Sequence, residues 1–368
     1  MTPSGPIPYG RQTVEEDDIK AVVDVLRGDY LTAGPAIGRF ESAVADYVGA
    51  RHAVAFSNAT AGLHGCTAAA GLGVGDVVAT SSLTFVASAN CARYVGATVE
   101  LVDIDPSTLN IDVDAVPDDV DALVAVHFAG LPVDLSGLSH RPRVIIEDAA
   151  QALGSWTPDG PVGNCARSDM TCFSFHPVKP VTSGEGGVVT TNDDELAERL
   201  RRFRSHGTRP APDKGGWYYE VLDQGFNYRL TDIQAALGAS QMTKIDRFIG
   251  RRQELAARYD HLLAPLPMTT APPAPEGSGH GYHLYTIQVE QRRAVYEELR
   301  ERGIFTQVHY VPVHHHPHYA DLNASLPVTD RVYDQILTLP LFPTLTNEQQ
   351  DHVVEQLTDV VARLGISG

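Results

Sequence analysis

The chain has 368 residues, 43% of them apolar, with 46 acidic against 28 basic side chains and a formal net charge of -18. That length suits one large or two modest domains and excludes a peptide scaffold or a disordered tail. The acidic balance offers no broad basic face to draw nucleic acid, anionic lipid or polyphosphate from a distance, so an anionic ligand has to be held by a local set of donors.

Proline and glycine crowd the first dozen residues and predict an extended arm. Helices are expected over 17–26 and 37–47, with a turn at 31–35 between them. From residue 50 to about 195 the grammar changes to short apolar runs, turns and helices. Runs at 53–56, 77–80, 99–102, 122–127 and 144–147 read as strands, several of them apolar throughout, as in a mostly parallel sheet covered by helices on both faces. Further strands are expected at 170–175 and 187–191, a helix at 196–203, a long loop at 207–222, and helices at 230–242 and 245–263. A proline- and glycine-rich connection at 265–281 leads to a strand at 283–289, a helix at 292–302, a strand at 308–311, a histidine- and proline-rich loop, and a helix at 347–364.

The division expected is an arm with the first helix (1–35), a large α/β domain (36–246) and a small α+β domain (247–368), with helix 245–263 as the bridge. Cys66, Cys91, Cys165 and Cys172 form no CxxC pair and read as buried thiols in a reducing compartment. The N-terminus has no basic segment leading into an apolar stretch, and no apolar run approaches membrane-spanning length. The expectation is a soluble cytoplasmic protein without nucleic-acid or membrane partners.

Only four lysines occur, Lys20, Lys179, Lys214 and Lys244. Lys179 sits in a turn-rich segment after Ser174-Phe175-His176-Pro177-Val178, where a confined amine can lose its proton and form a Schiff base; the alternative is a surface lysine on a loop. Asp148 stands at the carboxyl end of a strand, placed either to pair with a protonated ring nitrogen or to cap a following helix. Gln151 lies one step further on. Ser57-Asn58-Ala59-Thr60 precedes an alanine-rich helix and reads as a phosphate cradle or a plain capping turn. Phe85 offers a flat stacking face, or core filling. His309, His314, His315, His316 and His318 lie at irregular spacing among prolines, which favours a substrate-side wall over a zinc site, and no metal is expected.

Joined together, these segments resemble the DegT/DnrJ/EryC1/StrS family of pyridoxal phosphate-dependent sugar-nucleotide aminotransferases. The resemblance runs over nearly the whole chain: DYLTAGP at 29–35, SNATAGLH at 57–64, TFVASAN at 84–90, EDAAQALGS at 147–155, SFHPVKPVTSGEGG at 174–187, GFNYRLTDIQAALG at 225–238 and HYVPVH at 309–314. It implies the type I aminotransferase fold, with Lys179 carrying pyridoxal 5'-phosphate as an internal aldimine and pyridoxamine phosphate as the intermediate. By the same resemblance Asp148 pairs with the pyridine nitrogen and Phe85 lies against the ring. Ala59, Thr60 and Ser174 bind the phosphate, Gln151 joins the cofactor contacts, and Asn227 reaches the neighbouring subunit's cofactor in a homodimer with shared sites. Thr32, His176, Arg229, His309 and Tyr310 fall on the substrate side. The HPVK form is similar to enzymes that aminate C4 of a UDP-linked 4-keto-6-deoxy-HexNAc in the pseudaminic acid pathway, with glutamate as donor. Many of those carry histidine at the position of Gln151. The alternatives are a dTDP-linked 3- or 4-ketosugar, a cyclitol ketone, or a non-catalytic protein that binds the cofactor; a related 3-dehydrase has histidine where this chain has Lys179.

Overall fold

A computed structural model describes residues 5–366. Its arm contains β1 (Ile7–Pro8) and leads into α1 (Glu16–Leu26) and α2 (Pro35–Val48). The alternating region supplies β2 (His52–Phe56), α3 (Ala59–Ala69), β3 (Val77–Ser81), α4 (Ala87–Tyr94), β4 (Thr98–Val102), β5 (Ala122–Val126) and β6 (Val144–Asp148). After a small hairpin of β7 (Trp156–Thr157) and β8 (Gly160–Pro161) come β9 (Met170–Ser174), β10 (Gly187–Thr191) and α5 (Asp194–Phe203). The loop expected at 207–222 carries a short hairpin, β11 (Thr208–Pro210) against β12 (Tyr219–Val221). The rest comprises α6 (Asp232–Met242), α7 (Ile245–Leu263), β13 (Tyr285–Gln288), α8 (Arg292–Glu301), β14 (Ile304–Phe305), α9 (Pro327–Gln335), β15 (Ile336–Leu339) and α10 (Asn347–Arg363).

The central sheet has the order β2-β10-β9-β6-β5-β3-β4, with β10 antiparallel to both neighbours and the other pairings parallel. Strand alternation sends Val54, Phe56, Val124, Ile146, Cys172 and Val189 into one apolar layer, shared with α3, α4 and α5. Their sequence neighbours Ala55, Phe173 and Val188 enter the opposite layer with α2, α6 and α7. Burial on both faces is why these strands read as unbroken apolar runs rather than alternating ones. All strands but β10 run the same way, so their carboxyl ends open on one edge, where a doubly wound sheet places its ligand.

A second apolar core gathers Leu255, Tyr259, Tyr285, Leu299, Leu337 and Leu357 around the antiparallel pair β13-β15. The N-terminal arm joins it, because β1 pairs in parallel with β14. The strand expected at 308–311 does not form. The ladder stops at Phe305 because β1 offers only Ile7 and Pro8 as partners, and beyond a single bridge from Gln307 to Thr338 the chain turns His309 and Tyr310 toward a cavity. Neither β15 nor α9 was among the sequence expectations: β15 is only four residues, and Pro327 at the start of α9 falls in a proline-rich stretch.

Helix α1 is fastened to α6 by Asp18, which is wholly buried. Its carboxylate accepts hydrogen bonds from Ser240 Oγ at 2.6 Å and Gln241 Nε2 at 2.7 Å, and pairs with Lys244 Nζ at 2.7 Å. Burial pushes this carboxyl up, but the Lys244 bond, with Ser240, the Glu15 N–H and Gln241, holds it below the ordinary carboxylate range. A depressed folded-state pKa means that the stabilisation is complete above the unfolded value, near 4, and is lost as pH falls through the lower folded value. Asp18→Ala should therefore cost on the order of 3 kcal/mol at pH 7, the scale for breaking a buried ion pair. In urea denaturation the gap from the unmodified protein should shrink below about pH 4; equal stability at pH 7 would refute this role.

Candidate active site

At the carboxyl edge of the sheet lies a cavity of about 660 Å³. Ala59, Thr60, Phe85, Asp148, Gln151, Ser174, His176, Lys179, His309 and Tyr310 all line it, so ten residues singled out in the sequence meet in one place. The strand ends supply most of them: Thr60 follows β2, Phe85 follows β3, while Asp148 and Ser174 end β6 and β9. The opposite wall is the segment after β14, with His309 and Tyr310.

Lys179 is held by a closed turn. Phe175 N donates to Gly186 O at 2.9 Å, Ser183 N to Phe175 O at 3.0 Å, and Lys179 N to His176 O at 3.0 Å. The side chain is half-buried, and its amine has no hydrogen bond or ion pair among the described residues. Desolvation pushes the amine down to about 8, with the Asp148 carboxylate pulling the other way. About a tenth of this lysine is therefore free base at pH 7, a far larger share than a solvated lysine with its pKa above about 10 provides.

Asp148 is itself buried. One oxygen accepts from Ser88 Oγ at 2.7 Å, the other from Ala150 N at 3.1 Å. No helix follows β6 directly, so the helix-capping alternative falls away. Gln151 bridges two walls: Oε1 accepts from Ala129 N at 2.6 Å and Nε2 donates to Tyr310 OH at 2.7 Å. Phe85 is 56% exposed, which excludes plain core filling, and its ring centroid lies 6.1 Å from that of Tyr310.

The turn at 57–60 is the N-terminus of α3. Asn58 caps it by accepting from Ala61 N at 2.8 Å, which leaves the first N–H groups, those of Ala59 and Thr60, without partners inside the helix. Strand β10 begins directly against this turn, and a Cβ on Gly187 would come within 2.5 Å of Asn58 backbone atoms. Only glycine lets the two segments approach so closely.

Thr32, Asn227 and Arg229 do not line the cavity. Thr32 bridges to Thr231 and Asn227 to Ser205, with Thr32 and Asn227 exposed and Arg229 partly so. The cavity also draws in Tyr9, Glu185 and His283, which sequence reasoning passed over, and Ser88 supports it from behind. Ser88 stood within a recognised segment, TFVASAN. Tyr9 and His283 carried no local signal, since the arm and the small sheet reach the cavity only through tertiary packing.

A lysine amine of lowered pKa, a buried carboxylate in the same cavity, an exposed aromatic face and unpaired helix N–H groups match the aldehyde, pyridine nitrogen, ring and phosphate of pyridoxal phosphate. The comparisons with known proteins agree. The spore coat polysaccharide biosynthesis protein SpsC of Bacillus subtilis is 36% identical over 96% of this chain and 97% of its own. Helicobacter pylori PseC, an aminotransferase of pseudaminic acid biosynthesis, superposes with a TM-score of 0.91 at 31% identity, over 97% of this chain and all of PseC. The putative sugar aminotransferase Spr1654 of Streptococcus pneumoniae, in its PMP-form, gives a TM-score of 0.91 at 28% identity over 97% of this chain and all of its own. Residues 12–358 match the DegT/DnrJ/EryC1/StrS aminotransferase family, and the chain belongs to that family of pyridoxal phosphate-dependent sugar aminotransferases.

Proposed function

We propose that this aminotransferase moves an amino group from L-glutamate to C4 of a UDP-linked 4-keto-6-deoxy-HexNAc, releasing 2-oxoglutarate and the aminosugar. The observation that carries the reading is the free amine of Lys179 facing the buried carboxylate of Asp148 in one cavity. The likeness to PseC supports the sugar. A dTDP-linked 3- or 4-ketosugar or a cyclitol ketone remains the second reading, motivated by Gln151 where many C4 enzymes have histidine.

Bound pyridoxal phosphate supplies the electron sink that lets a C–H bond beside the amine ionise. The residues that would hold it are Lys179 for covalent attachment, Asp148 for the ring nitrogen, Phe85 for the ring face, Gln151 beside the ring, and Ala59, Thr60 and Ser174 for the phosphate. Lys179 Nζ, once free, takes the α-proton of the donor and later delivers a proton to the sugar carbon. Its lowered pKa lets it serve as base in one direction and acid in the other. The carboxylate of Asp148 is kept oriented by Ser88 and the Ala150 N–H.

The working unit in this reading is a homodimer. The β11-β12 hairpin exposes Trp217 (84%), Tyr219, Val221 and Leu222, with Tyr30 and Leu31 exposed near Thr32. So much exposed apolar and aromatic surface suits a protein interface. Thr32, Asn227 and Arg229 would then complete the partner's site rather than their own.

Five outcomes test these proposals. Borohydride should fix the cofactor on Lys179, and attachment at Lys214 would overturn the assignment. Because only the unprotonated amine attacks an aldehyde, the rate of loading apoprotein with pyridoxal phosphate, followed by absorbance, should rise with pH and level off above about 8. Lys179→Ala should slow both half-reactions by at least about 100-fold. Product analysis with glutamate across UDP- and dTDP-linked ketosugars and scyllo-inosose decides the acceptor; turnover of scyllo-inosose alone would sink the nucleotide-sugar reading. Trp217→Asp should shift the sedimentation velocity profile from dimer to monomer with loss of activity, and a fully active monomer would refute the shared site.

A further inference from the structure

The wall of the cavity opposite the sheet holds more potential hydrogen-bond donors than the proton shuttle uses. His283 is 4% exposed and lines the cavity, yet its side chain has no hydrogen bond among the described residues, and its Nδ1 is sealed within the protein. That leaves Nε2 as the nitrogen able to meet a ligand. Buried polar groups are rarely left unpaired, so an empty imidazole at a cavity wall points to a partner that arrives with substrate. The backbone that carries the ring is tied down: Gly281 N donates to Gly130 O and Leu284 N to Ala129 O, each at 3.2 Å, which fastens residues 281–284 to the exit of β5.

Behind His283 lies Arg252, 1% exposed. Its Nη1 donates to the carbonyl oxygens of Tyr282 and His283 at 3.3 Å and of Leu341 at 3.1 Å, while Nε and Nη2 have no partner. No carboxylate pairs with it among the described residues. Burial lowers its pKa to about 10, so it remains a cation at neutral pH. His309 stands on the other side, its Nδ1 bonded to Thr338 Oγ1 at 2.8 Å and its ring otherwise facing the cavity. No arginine lines the cavity among the described residues, so the usual guanidinium fork for a carboxylate is missing there.

This wall stands at a different strand exit from the phosphate cradle. Ser174 ends β9, whereas the segment that carries His283 is tied to the exit of β5, two strands further along the sheet. We infer that His283, flanked by His309 and backed by the buried cation of Arg252, binds the α-carboxylate of the amino donor. Burial and the nearby Lys179 and Arg252 hold His283 well below the ordinary imidazole range, so it meets the anion as a neutral N–H donor. The carboxylate's own charge makes that bond charge-assisted, and the unpaired cation of Arg252 behind it adds attraction that low dielectric strengthens. The inference rests on the proposal that the donor is an amino acid.

The test uses cofactor-loaded protein and His283→Asn, with His283→Gln as the substitute should the first fail to fold. Maleate, an unreactive dicarboxylate, is titrated by calorimetry, and the cofactor absorbance is followed with L-glutamate and with cyclohexylamine, an amine that carries no carboxylate. The maleate dissociation constant and the half-saturating glutamate concentration should rise about 10- to 100-fold, the loss of one charge-assisted bond, while the response to cyclohexylamine is retained. Unchanged maleate affinity overturns the inference, and so does an equal loss toward both amines, which would mark His283 as structural. If unmodified protein binds maleate but does not react with glutamate, the donor reading fails while the maleate comparison still decides the subsite.

Discussion

The site depends on a balance between burial and one carboxylate. Desolvation drives the amine of Lys179 toward its neutral form, and Asp148 restrains that drift without closing an ion pair on it. A deeper cavity lacking Asp148 would give an amine unable to hold a proton, and an exposed one would leave it protonated and unreactive. Ser88 and the Ala150 N–H matter because they occupy the carboxylate and keep it from collapsing onto the lysine.

The fold sets up this balance through strand direction. Six strands deliver their carboxyl ends to one edge, and β10, the antiparallel exception, returns the turn that holds Lys179 back past the start of α3. Gly187 allows that close passage. The same β10 therefore connects the lysine turn to the helix N-terminus that would cradle a phosphate.

The second apolar core closes the cavity from the other side. By pairing β1 with β14, the arm carries Tyr9 to the rim, and the tied segment at 281–284 carries His283 to the wall. Arg252 is an unusual feature of this lobe, a buried cation bonded only through Nη1 to backbone carbonyls and otherwise unpaired. It gives the wall a sign opposite to that of the strongly acidic chain, so local donors, rather than the overall charge, decide where an anion settles.

The sequence alone determined the parallel sheet, most helices and ten of the cavity residues, because each rests on a local signal. Apolar runs bounded by turns mark strands covered on both faces, and the lysine turn, the strand-end carboxylate and the capping asparagine sit within recognisable short segments. The strand expected at 308–311 failed for a non-local reason: a strand needs a partner, and only packing shows that β1 is two residues long. Tertiary structure likewise decided that Tyr9 and His283 belong to the cavity while Thr32, Asn227 and Arg229 stand outside it. It also decided that Lys179 is the one lysine of four whose amine is desolvated in the cavity, since desolvation is a property of everything around a group and of nothing in its immediate sequence.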